Sequence, residues 1–412
     1  MPGLFFSNLI NSQVIGKAGE PIGHLVDILV HMDERYPPLI GLIVRLARQH
    51  EVFIHATRIK ILTDTMVVLN TSTLNTQPFQ RRPNELLMGE DLLDKQIVNV
   101  NGQKVVRVND LLLEHVRRWR LVAVDVSMAA LVARIGLPSL ANSRMRREVI
   151  PWDGISLFAS DMPVPISLKH EKLATLHPAE ISDILEELSY PQGQELLASF
   201  DAEMAADVVE TMEPSMRRSI LSAMDKERAT EILAEMEPDE VADALGELPP
   251  ETAGELLEHM EPDQAFEVST LLNYPPESAG GHMTTDFFTL GQHLTVKDAL
   301  LMLRETEDLP NFLSYIYVTD RPNSRSLCGV VSLRRLVCSQ SETVLKDIME
   351  ADLQVRRIED EIDDVARVMA QYNLLAIPVM DDSNQIAGIV TFDDAMEDLL
   401  PEIWHKLPRI TG

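Results

Sequence analysis

Two carboxylates four residues apart, Asp239 and Asp243, follow Pro238 in a segment that reads as a short helix. Residues at i and i+4 share a helix face, so both side chains should project the same way. At ~6 Å and an effective dielectric of ~20, two such charges repel by roughly 3 kcal/mol. A hard divalent cation such as Mg²⁺ relieves that repulsion, because it takes oxygen ligands. Each acid also has a use without metal. Asp239 can complement the positive end of the helix dipole, and Asp243 can flank a solvent-facing stripe. Further acids gather downstream: Asp360, Asp363 and Asp364, then Asp381 and Asp382, then Asp393, Asp394, Asp398 and Glu402. Of these, Asp381-Asp382-Ser383-Asn384 is an ordinary turn sequence and the weakest cluster.

Catalytic chemistry finds no comparable support. The chain has no HExxH, no phosphate-binding P-loop, no nucleophile elbow and no adjoining Cys/His pair, so no enzyme is expected. His24, His31, His50 and His55 are scattered through strand-like segments. The two cysteines, Cys328 and Cys338, provide neither a disulfide framework nor metal-ligand spacing, which suits a reducing cytoplasm. The N-terminus lacks a signal-peptide layout, and no apolar run approaches the ~18–20 residues of a membrane helix. A cytoplasmic protein without membrane insertion is expected. The net charge of −29 makes nucleic acid an improbable partner.

The charge is unevenly spread, and its distribution marks the elements that must position the acids. Residues 171–275 hold 26 Asp and Glu against 5 Lys and Arg, whereas residues 1–150 hold 14 against 18. Within the acidic stretch a bulky apolar residue recurs every twelve positions, from Leu176 through Leu188, Phe200, Met212, Met224, Met236, Leu248, Met260 and Leu272. In nearly every unit an apolar or alanine-containing pair precedes it by four and three places, as in Ile184-Leu185 and Val208-Val209. An acid precedes it by five in every unit but one, where Ser219 stands. Proline begins most units, as Pro178, Pro191, Pro214, Pro238, Pro250 and Pro262, which suits a first helical turn. Two-turn helices are too short to stand alone and must stack on one another. Residues 166–278 therefore read as an all-α superhelical repeat.

Two duplications flank it. Residues 14–28 and 97–111 align without a gap at an offset of 83, placing Gly19 on Gly102 and Asp27 on Asp110. Each reads as a strand, a turn at Ala18-Gly19 or Asn101-Gly102, and a second strand, with further strands at Leu39–Val44 and Leu121–Val126. This pattern resembles the PRC-barrel domain, in tandem at residues 1–80 and 85–150. Such a resemblance implies docking to an unidentified protein partner and no catalytic residue. After Gly280-Gly281 the pattern alternates between strand and helix. Tyr315–Asp320 and Ala376–Asp381 are buried-strand patterns, and Gly329–Ser332 and Gly388–Thr391 each lead into a helix. This resembles a pair of CBS domains, at residues 283–340 and 345–405. The resemblance implies that Thr391 and Asp394 hold the ribose of an adenine nucleotide, while Arg335 departs from the pattern in the first copy. It also implies a homodimer, formed through helices around Ala299–Leu303 and Val365–Met369.

The order of these parts is more specific than any one of them. The motifs His177-Pro178-Ala179-Glu180, Leu185-Glu186-Glu187-Leu188 and Leu272-Asn273-Tyr274-Pro275 run into Ala279-Gly280-Gly281-His282-Met283-Thr284 and then the CBS pair. Together they resemble the cytosolic half of the MgtE magnesium-channel family. That resemblance implies Mg²⁺ held between carboxylates of the helical repeat and the CBS pair, drawing from Asp239, Asp243, Asp360, Asp363, Asp364, Asp393, Asp398 and Glu402. Pro401–Leu407 resembles the start of the family's connecting helix, and a sensor without the channel is expected. The expectation is a multidomain α+β protein, a soluble magnesium-responsive regulator. An adenine-nucleotide sensor and a ligand-independent scaffold are the alternatives.

Overall fold

A computed structural model describes residues 3–46, 50–73, 79, 81–134, 147–162, 172–306, 309–322 and 324–399. The architecture is the mixed α+β one expected, and the chain divides into two compact units, residues 1–211 and 212–412.

The first unit begins with the duplicated strands. Its first copy contains β1 (Leu4–Phe5), α1 (Phe6–Leu9), β2 (Gln13–Ile15), β3 (Pro21–His31), β4 (Leu39–Leu46), β5 (Glu51–His55), β6 (Ile59–Leu62) and β7 (Met66–Leu69). The second contains β8 (Glu85–Leu87), β9 (Gln96–Asn99), β10 (Lys104–Arg107), β11 (Asp110–Val116), β12 (Arg118–Asp125), α2 (Met128–Arg134), β13 (Val149–Pro151) and β14 (Ile155–Ser156). Strands β5-β4-β3-β2-β7-β6 form one sheet in that order, and β1-β11-β12-β13 and β10-β9-β14 form two smaller ones.

The copies exchange their first strands. Strand β1 pairs with β11 of the second copy, and β8 pairs with β3 of the first. The two matched aspartates secure the exchange. Asp110 accepts hydrogen bonds from Ser7 N (3.0 Å) and Ser7 Oγ (2.6 Å), while Asp27 accepts from Gly89 N (2.8 Å) and Glu90 N (3.1 Å). Ser7 and Glu90 are themselves related by the offset of 83, so the arrangement is reciprocal. One core then serves both copies, with Phe6, Leu9, Leu25, Ile28, Leu111 and Leu121 all buried in it. Burial pushes the Asp27 carboxyl up to about 6, against the backbone donors that favour its charged form. The hairpin at Asn101-Gly102 forms, but Asn99 caps its turn by accepting from Gly102 N, and Gln103 rather than Gly102 takes the left-handed conformation, at φ 46°. The first copy instead uses Gly19, at φ 87°.

Eight short helices realise the twelve-residue repeat. Helices α3 (Pro178–Glu187), α4 (Tyr190–Ala198) and α5 (Ala202–Glu210) lie in the first unit. Helices α6 (Pro214–Ala223), α7 (Lys226–Ala234), α8 (Pro238–Gly246), α9 (Pro250–His259) and α10 (Pro262–Leu271) lie in the second. Proline sits in the first turn wherever the sequence offers it, and the apolar pairs Ile184-Leu185, Val208-Val209 and Ile232-Leu233 are buried. In the first unit the flanking acids also bind the strand region. Glu195 accepts from Ala159 N (2.6 Å) and Ser160 N (2.8 Å), and Glu187 accepts from Val105 N (3.2 Å).

The rest of the second unit is two copies of one αβ plan. The first has β15 (Thr289–Gly291), α11 (Val296–Glu305), β16 (Tyr315–Thr319), β17 (Leu327–Ser332) and α12 (Leu333–Cys338). After α13 (Leu345–Ile348) the second has β18 (Arg356–Arg357), α14 (Ile362–Tyr372), β19 (Ala376–Met380), β20 (Ile386–Thr391) and α15 (Phe392–Leu399). In each, the first strand runs parallel to the second and the third antiparallel to it. Tyr317 of the first copy packs against Ala376, Met380, Ile386 and Ile389 of the second, so the two share a core. Among the described residues no helix is long and apolar enough to cross a membrane.

Candidate cation site between helix α8 and the second αβ copy

Helix α8 starts at Pro238 with Glu237 as its N-cap, which puts Asp239 in the first turn. Asp239 is only 6 % exposed, and its Oδ1 has no hydrogen-bond partner among the described residues. A buried carboxylate oxygen left unpaired is costly, so this atom calls for a proton or a cation. Three elements meet around it. The segment before β15 places Thr284 there through a two-way backbone pairing with Ile389 on β20 (2.9 and 3.0 Å). Gly388 permits that approach, since a Cβ would lie 2.7 Å from the Thr284 carbonyl oxygen. The Thr284 hydroxyl donates to Glu237 (3.4 Å), and also favours the charged form of Asp239.

The third element is the start of α15. Thr391 caps it, donating from Oγ to Asp394 (2.6 Å) and Asp393 (2.7 Å), while Asp394 also accepts from Thr391 N (3.2 Å). Asp394 is thereby held at the third helical position, as in a capping box. Burial raises the Asp239 carboxyl well above the usual range, and the charges of Asp394 and Glu237 raise it further. Burial pushes Asp394 up to about 7, with Asp393 and Glu237 adding to the shift and the bonds from Thr391 opposing it. Asp286, half-buried nearby, is raised by burial and then by Glu237 and Glu267. Carboxyls shifted in this way are an electrostatic demand for positive charge.

The donor set is all oxygen and fits Mg²⁺, which keeps several waters and uses one or two carboxylates. Among the described residues no group of three or more His, Cys, Asp or Glu side chains is arranged to grip a metal alone. An ion held by Asp239 and Asp394 would have to complete its shell with water.

The structure distributes the sequence-derived candidates unevenly. It brings Asp239 to Asp394 and Thr391, with the exposed Asp393 beside them. It gives Asp243, one turn further along α8, a different environment from Asp239: Asp243 is exposed and interacts electrostatically with Arg217. Asp360 accepts from Arg357 N (2.8 Å), and its own carbonyl accepts from Ala279 N (2.7 Å). Asp363 and Asp364 are exposed in the first turn of α14, where Asp364 pairs with Arg367. The Asp398 side chain and Glu402 lie outside the described residues. Sequence reasoning missed Glu237, Thr284 and Asp286. Glu237 was hidden because Glu213 and Glu261 stand before prolines in the same way.

The fold around this site matches known structures. A crystal structure of the soluble part of a magnesium transporter aligns over 56% of this chain and 90% of that one, with TM-score 0.53 and 30% identity. The cytosolic domain of the Mg²⁺ channel MgtE in complex with ATP aligns over 56% and 93%, with TM-score 0.53 and 31% identity. This part of the chain is a relative of the cytosolic region of MgtE magnesium transporters. The model of the MgtE intracellular N domain matches residues 176–277, that of the CBS domain residues 279–341 and 345–401, and that of the PRC-barrel domain residues 1–74. Magnesium transporter MgtE of Enterococcus faecalis is 34% identical over 149 residues, 36% of this chain and 32% of that protein. The Bacillus subtilis protein is 36% identical over 135 residues, 33% of this chain and 30% of that protein. The chain thus spans about a third of the length of these curated MgtE relatives. In MgtE terms, Asp239 belongs to the N domain and Asp394 to the second CBS domain, so the carboxylates meet across a domain boundary.

Proposed function

We propose that this chain is a magnesium-responsive regulator, in which Mg²⁺ binds between helix α8 of the N domain and helix α15 of the second CBS domain. The carrying observation is the buried, unpartnered Oδ1 of Asp239 beside Asp394 and Glu237. Without a cation, these like charges push the two domains apart unless protons neutralise them. With Mg²⁺ the repulsion becomes attraction, and the domains close. Affinity should be modest, in the range of cellular free Mg²⁺, because the ion keeps much of its water. The role is regulatory rather than catalytic. The PRC tandem would present a docking surface, and the CBS pair would dimerise. Val365 and Met369, expected at that contact, are buried in their own domain, so exposed apolar residues such as Leu301 and Val337, 50 % and 65 % exposed, would form it.

One relative's cytosolic domain was solved with ATP, which favours adenine nucleotide as a second ligand. Against it, the Thr391 hydroxyl and the Asp394 carboxyl are bonded to each other. Small-angle scattering of the full chain during Mg²⁺ titration, repeated with ATP and AMP, tests both readings. Compaction with Mg²⁺ alone supports the first. A change that requires nucleotide supports the second, and indifference to both overturns the two together.

A further inference from the structure

Arg217 stands out in the twelve-residue repeat. The corresponding positions carry small or apolar residues, Ile181, Ala205, Ala229, Val241 and Ala265 among them, and the first four are buried. Arg217 is buried too, at 6 % exposure, so a guanidinium occupies a core column of α6. The desolvation of a lone buried charge would be prohibitive, and three acids of the α8 region offset it. Glu247 holds the guanidinium bidentately, with Nε donating at 3.1 Å and Nη2 donating to the other oxygen. Glu240 lies 3.9 Å from Nη1, and Asp243 adds its field. Burial would lower the Arg217 pKa, but Glu247 and then Glu240 and Asp243 more than reverse that.

We infer that Arg217 is a resident cation that takes the place of a divalent ion on the α6-facing side of α8, confining the helix's metal demand to Asp239. This rests on the reading of α8 as a cation-responsive helix, and adds why only one of its two acid sets responds. The opposed fates of Asp239 and Asp243, four residues apart, follow from it. Among the described residues no basic side chain joins Asp239, Asp394 and Glu237, whereas Asp243 shares Arg217 with Glu240 and Glu247. A tethered guanidinium cannot dissociate, so the α6–α8 contact is independent of metal concentration. A divalent ion there would instead make the helix stack itself rise and fall with Mg²⁺.

The test uses the full chain in an Asp239→Asn background, where the site at α15 is disabled. Thermal melts are recorded in EDTA and in millimolar Mg²⁺ for that variant, and with Arg217→Gln or Arg217→Lys added. The expected result is little Mg²⁺ effect in Asp239→Asn or with Lys added. With Gln added, Mg²⁺ should raise the melting temperature by about 2–5 °C, as the freed Glu240, Asp243 and Glu247 bind it. Should the Gln variant fold only when Mg²⁺ is present, the inference is equally supported. A Gln variant that melts alike with and without Mg²⁺, or is unfolded in both, overturns it. Failure of the functional reading would show separately, as a wild-type protein whose melting ignores Mg²⁺.

Discussion

Raising the pH of metal-free protein should weaken the second unit, and Mg²⁺ should cancel the effect. Asp394 titrates at about 7 in the folded chain against an ordinary 3.8, a difference worth about 4 kcal/mol. The sign follows from proton counting. Below about pH 4 the carboxyl is protonated in both states and costs nothing. Between about 4 and 7 the folded state holds the proton that the unfolded state has released, so stability falls as pH rises. Above about 7 the whole cost is present, and the raised Asp239 carboxyl, driven up by burial and by Asp394, acts in the same direction. Mg²⁺ bound between the two replaces that proton. Calorimetric titrations in buffers of different ionisation enthalpy should therefore show protons released on Mg²⁺ binding near pH 6, and fewer as the pH rises through about 7. Melting temperature in EDTA should fall from pH 5 to pH 8, and Asp394→Asn should flatten much of that slope. An unchanged slope in Asp394→Asn, or proton release that ignores pH, would refute the assignment of the site.

Asp239→Asn should stabilise the metal-free chain slightly and abolish Mg²⁺-induced compaction, while Asp243→Asn leaves the compaction intact; scattering on both variants checks this. Asp110→Ala removes the acceptor of both part-buried Ser7 bonds, so the first unit should lose about 1–3 kcal/mol in urea unfolding. Equilibrium sedimentation should find a dimer for the wild type and a monomer for Leu301→Glu with Val337→Glu, since burying carboxylates at an apolar contact is prohibitive.

Much of the architecture was legible because it is periodic. The twelve-residue repeat marks the α3–α10 helices and their proline starts, and the offset of 83 pairs Asp27 with Asp110, each of which caps the other copy's turn. The exchange of β1 and β8 was not legible, because alternation fixes which face of a strand is buried but not which copy it joins. The site was half legible. Spacing on α8 identified Asp239 and Asp243 as a pair, but i,i+4 geometry cannot tell that one faces Asp394 and the other Arg217. Thr391 and Asp394 stood out as a motif, and in the structure they also cap helix α15. Glu237, Thr284 and Asp286 carried no distinctive local signal. They matter because the tertiary fold brings them beside Asp239.

Anomalous diffraction from crystals of the full chain soaked in Mn²⁺, as a stand-in for Mg²⁺, tests the central claim most directly. A single peak in coordinating contact with Asp239 Oδ1 and bridged to Asp394, directly or through water, is the predicted result. Peaks confined to Asp243, to Asp360 or to the exposed start of α14, with none at Asp239, would contradict it.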